Sequence, residues 1–284
     1  MSSATAGSDG AGTLFLVSTP IGNLGDMTYR AVEVLSSTAL VIAEDTRHSR
    51  RLLDHYRVAT PLRSYHEHNE AKETPKLIAR LLDGDSIALI SDAGTPLVSD
   101  PGARLVDAAL AGGIRVVPIP GASAVMAALV AAGLSLDSFV FFGFLPRKGK
   151  ERKERIADIV GSSVTAVFYE APSRVADTLN DLAAAGAGER RGVVARELTK
   201  QFEEFKRGTV AALAAEYSDA DPKGEVVLLV AGADHQQASE NDLTAVAAHL
   251  RAAGKSAREV TEHLISDLRA PRNLAYRIAH EKDS

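Results

Sequence analysis

The chain has 284 residues, 45% of them hydrophobic and 24% charged, which is the usual balance of a globular protein with a buried core. Its net charge of -5 argues against a protein that coats nucleic acid by bulk electrostatics, and the lack of cysteine excludes disulfides, thiolate metal ligands and a cysteine nucleophile. With no secretory signal and no apolar run near the ~18 residues of a membrane span, we expect a cytoplasmic protein with no membrane partner.

Short apolar segments alternate with helical patterns along most of the chain. We interpret residues 1–12 as a disordered tail. Strands are predicted at 14–18, 39–44, 86–91 and 116–120, and a second set at 139–145, 165–170, 192–197 and 225–232. Helical segments are predicted between them, among others near 150–161, 173–186 and 208–217. This alternation predicts an α/β fold whose ligands bind in loops beyond the carboxyl ends of the strands.

A boundary is expected near Gly133 to Asp137, which gives two α/β domains at 13–135 and 136–233 with a cleft between them. Beyond a polar stretch, residues 240–284 show only helical pattern, and Ser256 with Glu259 predicts a capping box. This small C-terminal helical domain packs on a neighbour through Leu264, Leu268 and Ile278, or makes an accessory RNA contact through Arg269, Arg272 and Arg277. We favour the accessory contact.

Four loops that follow predicted strands combine glycine or proline with polar side chains: TPIGNLGD, EDTRHSRR, SDAGTPLVSDPG and PGASAV. Ordinary turn chemistry would use the same residues, but four such loops in one domain favour a small-molecule pocket. None of them fits the phosphate-cradling or the dinucleotide-binding glycine pattern. The residues alone do not identify the ligand.

The motifs VSTPIGNLGDMTYRAVEVL, AEDTRHSRRLL, SYHEHN, LISDAGTPLVSDPG, PIPGASA, YEAPSR, ARELTKQFEEFKRG and KGEVVLL occur in this order. Together they resemble the ribosomal small-subunit methyltransferase I family, a branch of the tetrapyrrole methylases, over residues 13 to 232. The loop SDAGTPLVSDPG stands where cobalamin-type methylases usually have a GDP-containing loop, and TPIGN replaces their GxGxG-type first loop. These departures favour the RNA branch over the tetrapyrrole branch.

The resemblance implies a homodimer that uses S-adenosylmethionine to methylate a cytidine 2'-hydroxyl in the decoding region of 16S rRNA, within the small ribosomal subunit. It implies two α/β domains with the methyl donor in the cleft between them. The donor-binding residues implied by motif position are Pro20, Ser91, Asp92, Ala93, Gly94, Thr95, Pro96, Ser123, Ala124, Leu145, Tyr169, Ala195, Gly224, Glu225 and Val226. For Asp92, a helix or turn cap is the alternative role.

Transfer of a methyl group to a ribose oxygen requires in-line alignment and benefits from a base that removes the hydroxyl proton. We select Glu44, Asp45, Arg47 and Lys200 as catalytic candidates. Glu44 and Asp45 are paired acids after an apolar strand, where burial and repulsion can raise one pKa, although an ion pair with Arg47 or Arg50 is an alternative. Lys200 could lower the pKa of the acceptor hydroxyl, bind a phosphate or lie in solvent.

The run RKGKERKER is the densest basic segment of an acidic chain, and we predict that it binds the RNA backbone. Its alternative role is a solvated helix face with internal charge pairs. The predicted RNA-binding residues are Arg147, Lys148, Lys150, Arg152, Lys153, Arg155 and Arg174.

Two other functional classes stay open, a small-molecule tetrapyrrole (corrin precursor) methylase and a non-catalytic ribosome assembly factor that has kept the fold. His66 and His68 lack further spaced ligands, so we predict no metal.

Overall fold

The computed structural model describes residues 10–218, 221–233, 240–268 and 270–280. Most of the predicted tail, residues 1–9, lies outside these ranges. No helix within them is long and apolar enough to cross a membrane. The chain forms two compact units, one ending at Gly232 and one starting at Ala233.

The first sheet has five parallel strands in the order β3-β2-β4-β1-β5. Its strands are β1 (Thr13–Val17), β2 (Leu40–Ala43), β3 (Leu62–Ser64), β4 (Ile87–Ile90) and β5 (Arg115–Ile119). The helices that alternate with and follow these strands are α1 (Tyr29–Ser37), α2 (Thr46–His55), α3 (Glu70–Leu82), α4 (Ala103–Ala111) and α5 (Ala124–Ala132). Because the strands run parallel, the loops that follow them gather at one edge of the sheet.

The second sheet is mixed, in the order β6-β7-β10-β8-β9, and only β6 and β7 pair in parallel. Its strands are β6 (Phe139–Phe144), β7 (Thr165–Glu170), β8 (Arg191–Arg196), β9 (Glu204–Thr209) and β10 (Val226–Val230). Helices α6 (Gly149–Gly161), α7 (Val175–Leu182) and α8 (Val210–Glu216) share one core with this sheet. A separate core joins its strands to α5, so the last helix of the first half covers the second sheet.

The apolar helix α5 explains how the two sheets come together. Val125, Ala128 and Leu129 pack with Val167, Val193 and Leu229 of the second sheet. Ile21, in the loop after β1, belongs to the same buried cluster. Burial of this apolar surface joins the loop edge of the first sheet to the second sheet and leaves a cleft between them.

The α/β fold class predicted from the sequence is confirmed. Two strands were not predicted, β3 with the sequence LRS and β9 with EFKRGT. Both lie at sheet edges, where a strand is not buried on all sides and therefore needs no apolar run. The strands identified from the sequence all contain an apolar run, whereas LRS and EFKRGT do not.

The second unit contains three helices, α9 (Glu240–Ala252), α10 (Ala257–Ser266) and α11 (Arg272–His280). They pack around Leu243, Val260, Leu264 and Ile278. The capping box of Ser256 and Glu259 at the start of α10 is confirmed. Of the tail arginines, Arg277 pairs with Glu240 at 2.8 Å, and Arg269 lies outside the described residues.

Candidate active site

The loop after β1 and the loop after β4 are held together by backbone hydrogen bonds. The Thr19 amide donates to the Gly94 carbonyl at 2.9 Å, and the Gly94 amide donates to the Thr19 carbonyl at 3.1 Å. The Thr19 hydroxyl also donates to the Ser91 carbonyl at 3.2 Å. Gly94 has a φ of 80°, which glycine adopts without steric cost. The two loops therefore form one preorganised wall.

The loop after β5 joins the same wall. The Ser18 hydroxyl donates to the Thr95 hydroxyl at 3.3 Å, and Thr95 donates to the Ala122 carbonyl at 3.3 Å. Ser123 then caps α5, with its hydroxyl accepting from the Met126 amide. Three loops of the first sheet are thus fixed relative to one another before any ligand binds.

These loops and the ends of β6, β7 and β10 enclose a cavity of about 310 Å³, within the size range of small-molecule sites. Its lining combines apolar side chains with carboxylates and loop backbone. The residues are Ile21, Asp92, Ala93, Gly94, Thr95, Val98, Ser99, Asp100, Ser123, Ala124, Phe144, Tyr169, Glu170, Ala171, Pro172, Leu198, Gly224, Glu225, Val226 and Val227.

The Glu197 to Lys200 turn supports the far wall of this cavity. Glu197 and Thr199 have φ values of 50° and 65°, an uncommon conformation for residues other than glycine. The Glu197 carboxylate accepts from the Glu225 amide at 3.0 Å and from Lys200 Nζ at 2.9 Å. A Cβ on Gly224 would lie 2.1 Å from the Glu197 carboxylate, so only glycine fits there.

Glu170 anchors a buried network at the end of β7. Its side chain is 0% exposed and accepts hydrogen bonds from Thr178 at 2.7 Å and from Arg174 at 3.1 Å. Arg152 donates to Thr178 at 2.9 Å and to Asp181 at 2.8 Å. The charges of this network neutralise one another, so it stabilises the cavity wall without offering a free carboxylate.

Comparison with known proteins identifies the family. The sequence profile of the Tetrapyrrole (Corrin/Porphyrin) Methylases matches residues 13–214. A protein of Synechocystis sp. named ribosomal RNA small subunit methyltransferase I is 45% identical over 96% of this chain and 99% of its own length. The chain belongs to the ribosomal RNA small subunit methyltransferase I family. A member from Pseudomonas aeruginosa is 53% identical over 78% of this chain and 79% of its own length.

A solved structure shows the shared fold at low sequence identity. The uroporphyrin-III-C-methyltransferase of Thermus thermophilus superposes with a TM-score of 0.55 at 20% identity, covering 77% of this chain and 94% of that one. The resemblance noted from the sequence motifs is thereby confirmed, and the chain is a methyltransferase of this family that uses S-adenosylmethionine as methyl donor.

The chemistry of the cavity fits this donor. S-adenosylmethionine has a flat adenine, a ribose, and a sulfonium and an ammonium against one carboxylate, so it carries a net positive charge. Ile21, Val98 and Val227 supply apolar wall, while Asp92 and Asp100 supply negative charge. Within the ranges that the structure describes, no group of acidic or histidine side chains is arranged to hold a metal ion.

The structure places the residues predicted to bind the donor in two groups. The predicted residues that line the cavity are Asp92, Ala93, Gly94, Thr95, Ser123, Ala124, Tyr169, Gly224, Glu225 and Val226. Those that do not line it are Pro20, Ser91, Pro96, Leu145 and Ala195.

The predicted residues that do not line the cavity are buried behind it. Leu145 and Ala195 are core residues of the second sheet, and Ser91 donates to the Gly94 carbonyl at 2.9 Å, which shapes the loop from behind.

Asp92, which lines the cavity, also has a structural contact. It accepts from the Asp45 amide at 3.2 Å, which ties the loops after β2 and β4 together.

Several cavity residues lie outside the predicted donor-binding set, namely Ile21, Val98, Ser99, Asp100, Phe144, Glu170, Ala171, Pro172, Leu198 and Val227. Asp100 had a visible signal, because it lies in the motif SDAGTPLVSDPG that carried the resemblance. The apolar members gave no signal, since an apolar residue at a strand end looks the same whether it lines a core or a cavity.

The expected raised pKa of an acid in the Glu44–Asp45 pair is not found for Asp45. Asp45 is the N-cap of α2, and hydrogen bonds from the backbone amide and side chain of Arg47 hold the pKa of its carboxyl below the usual range. Glu44 is exposed. The Arg47 side chain is 91% exposed and pairs with Asp45 at 3.4 Å. Asp45 therefore has a capping role.

Lys200 does not lie in solvent. Its ammonium contacts Glu197 at 2.9 Å and Glu225 at 3.1 Å. Although burial lowers the pKa of Lys200, its hydrogen bonds to Glu197 and Glu225 outweigh that effect and raise the pKa above the usual value. The lysine is therefore a permanent cation that holds the Glu225 side of the cavity in place.

The basic run divides into exposed and committed residues. Arg147, Lys148 and Lys153 are exposed at the start of α6, and Lys150, also exposed, pairs with Glu154 at 3.5 Å. Arg155 pairs with Asp158 at 3.4 Å and lies over the Phe142 ring. The predicted RNA contact is wrong for Arg152, which is buried and bound to Asp181 and Thr178.

Arg174 is also turned inward. Its side chain is 20% exposed and donates to Glu170 and to the carbonyl of Leu145 at 2.8 Å. These bonds satisfy the guanidinium within the protein, so Arg174 is poorly placed to bind a phosphate.

Proposed function

We propose that this chain transfers a methyl group from S-adenosylmethionine to the 2'-hydroxyl of a cytidine in the decoding region of 16S rRNA, acting on the small ribosomal subunit as a cytoplasmic homodimer. The observation that carries the proposal is the 45% identity to the ribosomal RNA small subunit methyltransferase I of Synechocystis sp. over nearly the full length of both chains.

The cleft supports a transfer reaction. Bound S-adenosylmethionine supplies an electrophilic methyl group on a sulfonium. The tied loops after β1, β4 and β5 fix one wall and the Glu197 to Lys200 turn fixes the other, so the chain aligns the reacting groups rather than adapting to them. Such alignment is a major source of rate in displacement reactions.

The exposed cations at the start of α6 support an RNA substrate. Lys148 and Lys150 lie five and seven positions beyond Gly143 of β6, and the end of β6 contributes Phe144 to the cavity. In a chain of net charge -5, a local cationic surface beside the cavity can hold a phosphate backbone without attracting nucleic acid over the whole protein.

The outer edge of the second sheet supports the homodimer. Strand β6 is an edge strand, and Phe139, Val140 and Phe144 are 40%, 39% and 61% exposed. Exposed apolar side chains on an unpaired edge favour association, because they would otherwise remain in water beside unpaired backbone groups.

The test is methyl transfer from labelled S-adenosylmethionine to small subunits from a strain that lacks this family's modification. Already modified subunits and a corrin precursor serve as the comparison substrates. Label in the unmodified subunits alone is the expected result. Label in the corrin precursor would instead favour a small-molecule methylase, and binding to subunits without transfer would favour an assembly factor.

A further inference from the structure

Helix α2 presents a basic face to solvent. Its sequence is TRHSRRLLDH, and three short or apolar side chains face the core, namely Ser49, Leu52 and Leu53. On the opposite side, Arg47, Arg51 and His55 are exposed and follow one another at intervals of four residues. Side chains four residues apart are neighbours on a helix surface. These three residues therefore form one continuous row, the α2 row.

Most of the positive charge of this helix is not neutralised by the chain. Helix α2 contains three arginines and one acidic residue, Asp54, which pairs with Arg50 at 4.0 Å. Arg47 pairs with Asp45 at 3.4 Å, but its side chain is 91% exposed. Arg51 makes no ion pair with any residue that the structure describes. The α2 row thus offers guanidinium groups to a partner without breaking a buried contact.

Helix α2 begins at the rim of the cavity. The amide of Asp45, the N-cap residue, donates to the carboxylate of Asp92 at 3.2 Å, and Asp92 lines the cavity. At the other end of the helix, the Tyr56 hydroxyl donates to the carbonyl of Leu24 in the loop after β1. The helix is fixed at both ends, so the α2 row is a preorganised surface that starts beside the cavity.

The length and charge of the α2 row suit a phosphate backbone. Arg47 and His55 are eight residues apart, which corresponds to about 12 Å along a helix. One strand of a duplex carries a phosphate about every 3.4 Å of its axis, so the row passes more than one phosphate. The planar guanidinium group of arginine also donates two parallel hydrogen bonds to a phosphate.

We propose that the α2 row binds the phosphate backbone of the substrate RNA, as a second contact surface in addition to the cations at the start of α6. The inference rests on the proposed function, which supplies RNA as the substrate. Helix α2 follows β2 of the first sheet, and α6 follows β6 of the second. RNA bound at both surfaces is therefore held on both sides of the cavity.

The test measures how the affinity for small subunits depends on salt. Arg51→Gln and a double variant, Arg47→Gln with Arg51→Gln, are compared with wild type. The N-cap of α2 stays in place in the double variant, because Asp45 accepts from the backbone amides of residues 47 and 48. Arg115→Gln is the matched control, since Arg115 is exposed at the start of β5, at the sheet edge opposite the cavity loops.

Filter binding gives the slope of log affinity against log salt for each protein. We expect Arg51→Gln to reduce this slope by about 0.7 to 0.9 and the double variant by about twice as much, because each lost phosphate contact releases fewer counterions. Arg115→Gln should keep the wild-type slope. All four proteins should bind S-adenosylhomocysteine equally in calorimetry and unfold at the same urea concentration, because the substituted side chains are exposed.

Hydroxyl-radical footprinting shows whether the contact is made to RNA backbone. With small subunits saturated by each protein, the double variant should lose a set of 16S rRNA backbone protections that Arg115→Gln retains. A second comparison uses a variant with Lys148→Ala and Lys150→Ala, which should lose a different set. The two sets would then map the RNA on either side of the cavity.

Three outcomes would overturn the inference and leave the proposed function intact. One is an unchanged salt slope, and another is a defect confined to donor affinity. The third is weaker binding with a complete backbone footprint, which would show that the α2 row contacts a ribosomal protein. A wild type that gives the expected footprint but transfers no methyl group would contradict the proposed function and support the α2 contact. A wild type that does not bind subunits would overturn both.

Discussion

The aliphatic chain of Lys200 lies directly on Gly22. A Cβ at position 22 would be 2.4 Å from Lys200 Cγ and 2.8 Å from its Cε, both far inside van der Waals contact. The ammonium of the same side chain binds Glu197 and Glu225. One lysine from the second half of the chain therefore covers the first loop of the first sheet and fixes the opposite cavity wall, which explains why TPIGN needs glycine at this place.

Gly22→Ala should therefore destabilise the protein and weaken donor binding together. The new methyl group must displace Lys200, which breaks its contacts with Glu197 and Glu225, and crowding of this kind costs about 1 to 3 kcal/mol. Urea unfolding and calorimetry with S-adenosylhomocysteine measure the two effects. Gly161→Ala is the control, because a Cβ there meets nothing within 4 Å. Equal free energies of unfolding for Gly22→Ala and wild type would show that the Lys200 side chain does not have to lie on residue 22 to reach Glu197 and Glu225.

Arg152 and Lys153 are neighbours on α6 with opposite roles. Arg152 is buried against Asp181, Thr178 and Glu170, so Arg152→Ala removes its hydrogen bonds to Thr178 and Asp181 and its charge beside the buried Glu170, and should lower the free energy of unfolding by about 3 kcal/mol. Lys153→Ala removes an exposed side chain and should change it by less than about 0.5 kcal/mol. Denaturant unfolding of both variants tests the assignment, and equal effects would contradict it.

Lys148 and Lys150 should contribute to substrate affinity and not to donor binding. Replacing both with Ala should weaken binding to small subunits and reduce the slope of log affinity against log salt by about 2, because each lysine that contacts a phosphate contributes roughly one unit. Filter binding from 50 to 300 mM salt, on the order of physiological ionic strength, measures this. Lys72→Ala, exposed on α3, is the control. An unchanged slope would show that this surface does not face phosphate.

Asp100→Asn should stabilise the free protein in a pH-dependent way. The folded state holds the pKa of Asp100 at about 6, above its usual 3.8, so ionisation in the folded state has a cost that is present above pH 6 and absent below pH 4. Solvent screening of this half-buried group reduces the effect to about 1 kcal/mol. Thermal unfolding without donor should show the variant more stable at pH 8 and equal to wild type at pH 4. A constant difference across this range would contradict the raised pKa.

Much of the architecture followed from the sequence, because buried strands leave an unmistakable apolar run between helical patterns. Strands β4 (IALI) and β10 (VVLLV) contain no charged residue and are buried at every position. Edge strands β3 and β9 were missed, because LRS and EFKRGT contain charged residues and no apolar run. The pairing of antiparallel strands in the second sheet is set by long-range contacts that no local pattern records.

The cavity was predicted in its loops and at Tyr169 and Gly224 to Val226, whereas apolar wall residues such as Val98 and Val227 were missed. Thr95 and Gly94 belong to a motif whose glycine and proline content marks it as a loop at a strand end. Arg152 was assigned to RNA because neighbouring charges along the chain look alike, although helix geometry turns one inward and the next outward. The burial that raises the pKa of Asp100 exists only after the two sheets meet, so the sequence carried no sign of it.

The most direct test of the central claim is the position of the methyl group on the product. After reaction of small subunits with labelled S-adenosylmethionine, digestion to nucleosides and mass spectrometry should find the label as 2'-O-methylcytidine from one site in the decoding region of 16S rRNA. Label on a base, or spread over many nucleotides, would contradict a cavity built to align one ribose hydroxyl with the donor.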